Sequence, residues 1–137
     1  MTASTEPTVS FHISEAYGGF ADCRGVARAA AEGLHLEFQT KDGFLGILKS
    51  GVRSQVLFWE DLVDVAFRAG LFRARIELVA RSLKTLGDMP GAEGCRLHLG
   101  VRRQDRAAGR ELASFATLRI CENDLRRMQA EMKPQAG

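Results

Sequence analysis

Residues Cys95–Met132 read CRLHLGVRRQDRAAGRELASFATLRICENDLRRMQAEM, and the spacing of their apolar residues changes part-way along. Up to Val101 the step is two. Cys95, Leu97, Leu99 and Val101 alternate with Arg96, His98 and Arg102, the pattern of a strand with one buried face. After Asp105 the step becomes three or four, through Ala108, Leu112, Phe115, Leu118, Cys121, Leu125, Met128 and Met132. These share one stripe of an amphipathic helix, with Asp105 placed to cap its start and no proline before Pro134. A helix of about 25 residues is roughly 40 Å long, more than the width of a small barrel. Its last turns, carrying Leu125, Met128 and Met132, are therefore expected to overhang the domain.

Upstream, the two-residue period recurs. Phe11–Ile13 reads as a short strand, and the small-residue stretch that follows reads as a long first strand, broken or bulged near Gly25. Ala30–Gly33 is a turn. Leu34, Leu36 and Phe38 then alternate with His35, Glu37 and Gln39, and Lys41-Asp42-Gly43 reads as the next turn. Val52–Trp59 is rich in β-formers and breaks at Glu60-Asp61-Leu62. Val63, Val65 and Phe67 lead to a hairpin turn at Ala69-Gly70, and Phe72, Ala74, Ile76, Leu78 and Ala80 share one face of the next strand. The glycine-rich run Leu86–Gly94 is a loop.

The expected fold is mainly β with one C-terminal helix. An apolar sheet face must be covered, so the antiparallel sheet is expected to curl into a bent barrel or orthogonal sandwich capped by the helix. No helical period lies between strands, which argues against parallel βαβ units. The chain divides into a flexible leader (1–10), one domain (11–132) and a loose tail (133–137).

That element order resembles the pleckstrin-homology-like superfold, including its GRAM-like members. Gly43–Ala80 carries the likeness: Leu57–Val65 looks like its strand–corner–strand step, and Ala69-Gly70-Leu71-Phe72 like the following hairpin. Cys95–Met132 completes it, so the outline covers about 120 residues. The region also looks like a family of small bacterial proteins of uncharacterised role. The resemblance implies a binding module for proteins or peptides, often self-assembling. Phosphoinositide-binding members place basic residues around the first hairpin, where this chain has Arg24 and Arg28 followed by an alanine-rich turn with Glu32.

Composition bounds the function. The 137 residues are 45% hydrophobic and 26% charged, enough for one core. Nineteen Lys and Arg against 17 Asp and Glu leave a net charge of +2, too little to make nucleic acid the expected partner. The polar start of the chain lacks the basic-then-apolar order of a signal peptide, and no apolar run is long enough to cross a bilayer. A cytoplasmic location is expected, with attachment to the inner face of the membrane as the variant.

Catalytic chemistry has little to stand on. His12, His35 and His98 are scattered, and there is no phosphate-cradling GxxxxGK[ST] loop. His35, Glu37 and His98 would make a metal site only if their strands were neighbours. Cys23, Cys95 and Cys121 form no CxxC pair and read as small buried apolar residues. No enzyme activity, cofactor or metal is expected. The candidate interface is apolar: Phe44, Leu45, Ile47 and Leu48, the lone Trp59, and the helix end with Leu125 and Met128. Lys41, Lys49 and Arg53 flank the Phe44–Leu48 segment, and form a candidate anion-binding set for an anionic membrane.

Overall fold

The structure, a computed structural model, describes residues 6–16, 21–42, 51–87 and 89–132, the side chains of 14–16, 21, 41 and 42 excepted. Among the described residues, seven strands precede one helix. They are β1 (Thr8–Ala16), β2 (Ala21–Ala29), β3 (Gly33–Asp42), β4 (Arg53–Phe58), β5 (Leu62–Ala69), β6 (Ala74–Ala80) and β7 (Arg96–Val101). The helix, α1, is Arg106–Met132. All strands join one antiparallel sheet in the order β4-β3-β2-β1-β7-β6-β5. Two meanders, β1–β4 and β5–β7, thus meet where β1 pairs with β7 at His12 and Gly100.

The expected barrel does not close. β4 and β5 are the two ends of the sheet, although a single 3-10 turn, Trp59–Asp61, carries the chain from one to the other. The sheet curls, because α1 touches β5 and β6 at one end of the order and also β1 and β2 near its middle. Away from the corner, β4 meets the loop after β6: Gln55 Nε2 donates to Thr85 O at 3.0 Å. Leu86 and Met89 from that loop are buried in the core.

Local chemistry explains where strands run and stop. β2 passes Gly25 without the expected break, in continuous register with Phe38 on β3 and Phe11 on β1. A Cβ at Gly25 would meet the Glu37 backbone carbonyl first and would stand 2.8 Å from Phe38 Cβ and 2.9 Å from Phe11 Cζ, so the neighbouring strands leave no space for a side chain there. Thr8–Ser10, read as leader, already belong to β1, and Val9 is in the core. Lys41 and Asp42, read as a turn, extend β3. The alternation at Val63, Val65 and Phe67 fails at its first member. A bulge between Leu62 and Asp64 buries Leu62 and leaves Val63 exposed. The hairpin loop after β5 holds four residues, Gly70–Arg73, so Phe72 stands outside β6 and is exposed.

The core joins Phe11, Leu36, Phe38, Leu57, Trp59, Ile76, Leu78, Leu97 and Leu99 to Leu112, Ala116 and Ile120 of α1. The helix packs through Gly109, Leu112, Ala113, Ala116 and Ile120. This is a narrower face than the sequence stripe, and one rotated from it.

Candidate functional site

The seven expected interface residues separate into three groups. Phe44, Leu45, Ile47 and Leu48 lie outside the described residues, as does Lys49; Lys41 lies on β3, with its side chain outside them. Trp59 is a correction: it is buried, not an exposed anchor. The 3-10 turn rotates the indole inward, where Nε1 donates to Ala30 O (3.0 Å) and Ala31 O (3.1 Å). Its neighbour Phe58 faces outward instead. Leu125 and Met128 are exposed on the helix end, as expected. Arg53 is exposed, and its guanidinium carbon lies 5.3 Å from the centre of the Phe38 ring.

The helix end carries a line of exposed apolar side chains. No residue of α1 after Ile120 is buried. Leu118, Leu125, Met128 and Met132 are 57%, 56%, 55% and 79% exposed, and Cys121 is exposed with them. Residues 118, 121, 125, 128 and 132 advance in steps of three and four, so they form one continuous line. At 3.6 residues per turn that line lies about 140° around the helix from the packed face. The seam is thus turned away from its own domain.

Polar contacts tie this end of the helix to the domain. Arg81 Nη2 is 2.7 Å from Asp124 Oδ1, and Arg81 Nε donates to Glu60 O at 2.9 Å. Arg127 Nη2 reaches the same Glu60 carbonyl at 3.3 Å. The corner between β4 and β5 therefore grips α1 beyond its last buried residue. Glu60 and Asp61 serve here through their backbone carbonyls, with Asp61 O accepting from Arg81 N–H at 2.9 Å.

Compared with protein-family models, curated proteins and solved structures, the chain has no significant match. The surface must therefore be read from its own chemistry.

His35 on β3 and His98 on β7 are separated by β2 and β1, so the strands are not neighbours and the conditional metal site does not assemble. His35 contacts Glu32, which holds the Glu32 carboxyl below its ordinary range, and His98 Nε2 is 3.7 Å from Glu77. Among the described residues no group of three or more His, Cys, Asp or Glu side chains is placed to hold a metal. The cysteines divide rather than all being buried: Cys23 is buried, Cys95 half-buried and Cys121 exposed. Burial pushes the Cys23 thiol up to about 11, so it is a poor nucleophile. An open groove between β5 and α1, lined by Phe67, Arg110, Ser114 and Thr117 among others, is narrowed where Thr117 Oγ1 lies 3.1 Å from Val65 O. No described helix is long and apolar enough to cross a membrane.

Sequence reasoning missed Leu71 and Phe72, which it assigned to a turn and a strand face. They are 81% and 85% exposed at the tip of the β5–β6 hairpin. The signal available was loop length, which two-residue alternation does not register.

Proposed function

We propose that this chain is a non-enzymatic binding and scaffolding module of the pleckstrin-homology-like kind, recognising protein or peptide and associating with a second copy of itself. The strand order, the corner at Trp59 and the terminal helix support the fold part of this reading. The observation that carries the self-association is the exposed line Leu118, Cys121, Leu125, Met128 and Met132.

Steps of three and four place these residues at the a and d positions of a heptad repeat, the seam of a two-stranded coiled coil. The flanking e and g positions are then Thr117, Glu122, Asp124, Gln129 and Glu131. In a parallel pair, g of one helix faces e of the next heptad on the other. Thr117 meets Glu122 and Asp124 meets Gln129, with no like charges opposed. An antiparallel pair sets g against g, and brings Asp124 and Glu131 onto acids. The charges favour a parallel, in-register partner. Two heptads make a short contact, so the association is expected to depend on concentration.

Light scattering over a concentration series tests the reading. The mass is expected to rise toward twice 15.0 kDa, and Leu125→Glu with Met128→Glu should hold it at the monomer value. Both side chains are exposed, so the fold should survive. In the parallel pair the two Cys121 thiols share the seam, and mild oxidation should link them. A monomer at every concentration sinks the proposal.

The membrane reading built on Lys41, Lys49 and Arg53 has no such support. Its apolar segment lies outside the described residues, and Arg53 sits over Phe38.

A further inference from the structure

The β5–β6 hairpin ends in two large apolar side chains that touch almost nothing: Leu71 is 81% exposed and Phe72 is 85% exposed. The loop that carries them is held in shape. Gly70 N–H donates to Arg73 O at 2.7 Å, closing the four-residue turn. Arg106, at the start of α1, donates from Nη2 to Gly70 O at 2.8 Å and to Leu71 O at 3.4 Å. The two side chains are therefore presented outward by a braced turn.

Guanidinium groups surround that turn. Arg68 and Arg75 are direct cross-strand partners, an arrangement of like charges that opposes pairing. Both lean toward Glu77, at 3.8 and 3.9 Å, and the same carboxylate carries Arg96 at 3.0 Å. Arg73 precedes Ala74, which pairs with Val101, so Arg102 and Arg103 leave β7 at the same end of the sheet. Arg73, Arg102 and Arg103 are exposed and make no ion pair among the described residues. The acids on these elements are Asp64, Glu77 and Asp105, fewer than the arginines.

We propose that this tip docks on an anionic lipid bilayer, with Leu71 and Phe72 entering the interface and the arginines meeting lipid phosphates. Two protruding side chains supply too little area for a stable protein contact, which needs about 800 Å² from each partner. A bilayer requires no complementary pocket. It accepts an apolar tip, and its phosphates match the fork geometry of arginine. Each basic residue near an anionic surface strengthens binding about fivefold at low salt. The surface is distinct from the α1 seam and does not depend on it.

Sedimentation of the full chain with vesicles tests this. Vesicles of phosphatidylcholine mixed with phosphatidylglycerol should carry the protein down at low salt; phosphatidylcholine alone should not. Leu71→Ser with Phe72→Ser should weaken binding about tenfold or more, while circular dichroism and solution mass stay as in the wild type. Arg73→Glu with Arg103→Glu should abolish the phosphatidylglycerol dependence. In a Phe72→Trp variant, tryptophan emission should shift to the blue when mixed vesicles are added. A wild type that stays in the supernatant overturns the proposal. So does a Leu71/Phe72 double variant that sediments like the wild type, or a basic patch that retains a polyanion such as duplex DNA but not vesicles. None of these outcomes alters the light-scattering result for the helix seam, so the two readings fail separately.

Discussion

Arg81 and Asp124 are joined side chain to side chain at 2.7 Å across 43 residues of sequence. The same arginine holds the Glu60 carbonyl through Nε. One side chain thus ties the end of β6, the corner after β4 and the upper part of α1. Asp124 flanks the seam, so the clamp holds the helix end to the domain along one border of the exposed line.

Arg81→Ala removes both contacts, whereas Asp124→Asn weakens only one. The groups are partly exposed, so the cost in stability should be about 1–2 kcal/mol for the alanine variant and under about 1 kcal/mol for the amide. Hydrogen exchange should show the larger effect, with faster amide exchange over residues 121–127 in Arg81→Ala. Unchanged exchange would mean that packing up to Ile120 alone orients the helix.

The junction of the two meanders depends on a missing side chain. A Cβ at Gly100 would collide with the His12 ring across the β1–β7 pair. Gly100→Ala should cost about 1–3 kcal/mol in urea unfolding. Adding His12→Ala should restore more than half of that loss. If the double variant is no better than the single, backbone distortion and not the ring is the obstacle.

His12 also sets a pH dependence. Burial lowers its pKa below 6.5, and the charges of Arg24 and Arg102 push the same way. As pH falls below 6.5 the unfolded chain takes up a proton that the folded imidazole resists, so stability drops. Well above that value both states are neutral and the group contributes no slope. Unfolding free energies measured between about pH 7 and 5 should fall in the wild type and be flatter in His12→Gln. Equal slopes would remove His12 as the cause.

Trp59→Phe keeps a ring at the corner but leaves the carbonyls of Ala30 and Ala31 without the indole donor. The expected cost is about 1–3 kcal/mol. In the wild type this single tryptophan should emit in the blue and resist quenching by acrylamide. A red, readily quenched emission would contradict the inward corner.

The thiols should report the fold by rate. At pH 8 an alkylating reagent should modify Cys121 first and Cys95 more slowly. Cys23, buried and with its pKa raised to about 11, should react only on unfolding. Mass spectrometry of timed samples distinguishes the sites, and early labelling of Cys23 would contradict its burial.

The architecture was legible where burial is one-sided. β3, β6 and β7 alternate cleanly, as at Leu34, Leu36 and Phe38, and the change of period near Asp105 marks the start of α1 to within a residue. Legibility ended where geometry shifts the phase. The bulge after Leu62 buries Leu62 and puts Val63 in solvent while Val65 and Phe67 stay on the core side, and the four-residue loop puts Phe72 in solvent. In α1, much of the packed face consists of small residues, which carry little hydropathic signal. Gly109 lies so close to Phe67 that a Cβ there would sit 3.0 Å from the ring. Small residues thus packed against the domain, and the stripe that reads as most apolar faced outward at its far end. The outward turn of Leu125 and Met128 was legible from helix length alone, whereas the Leu71–Phe72 tip was not.

The first strand finds one of its two neighbours only in the last. While the chain leaves the ribosome, β1 can pair with β2 within seconds of synthesis, but its other edge waits until Gly100 has emerged. During that interval the nascent protein carries an unpaired ladder edge next to a half-covered apolar face. Slowing translation before β7 should therefore raise the chance of wrong pairing between chains more than the same delay placed after it.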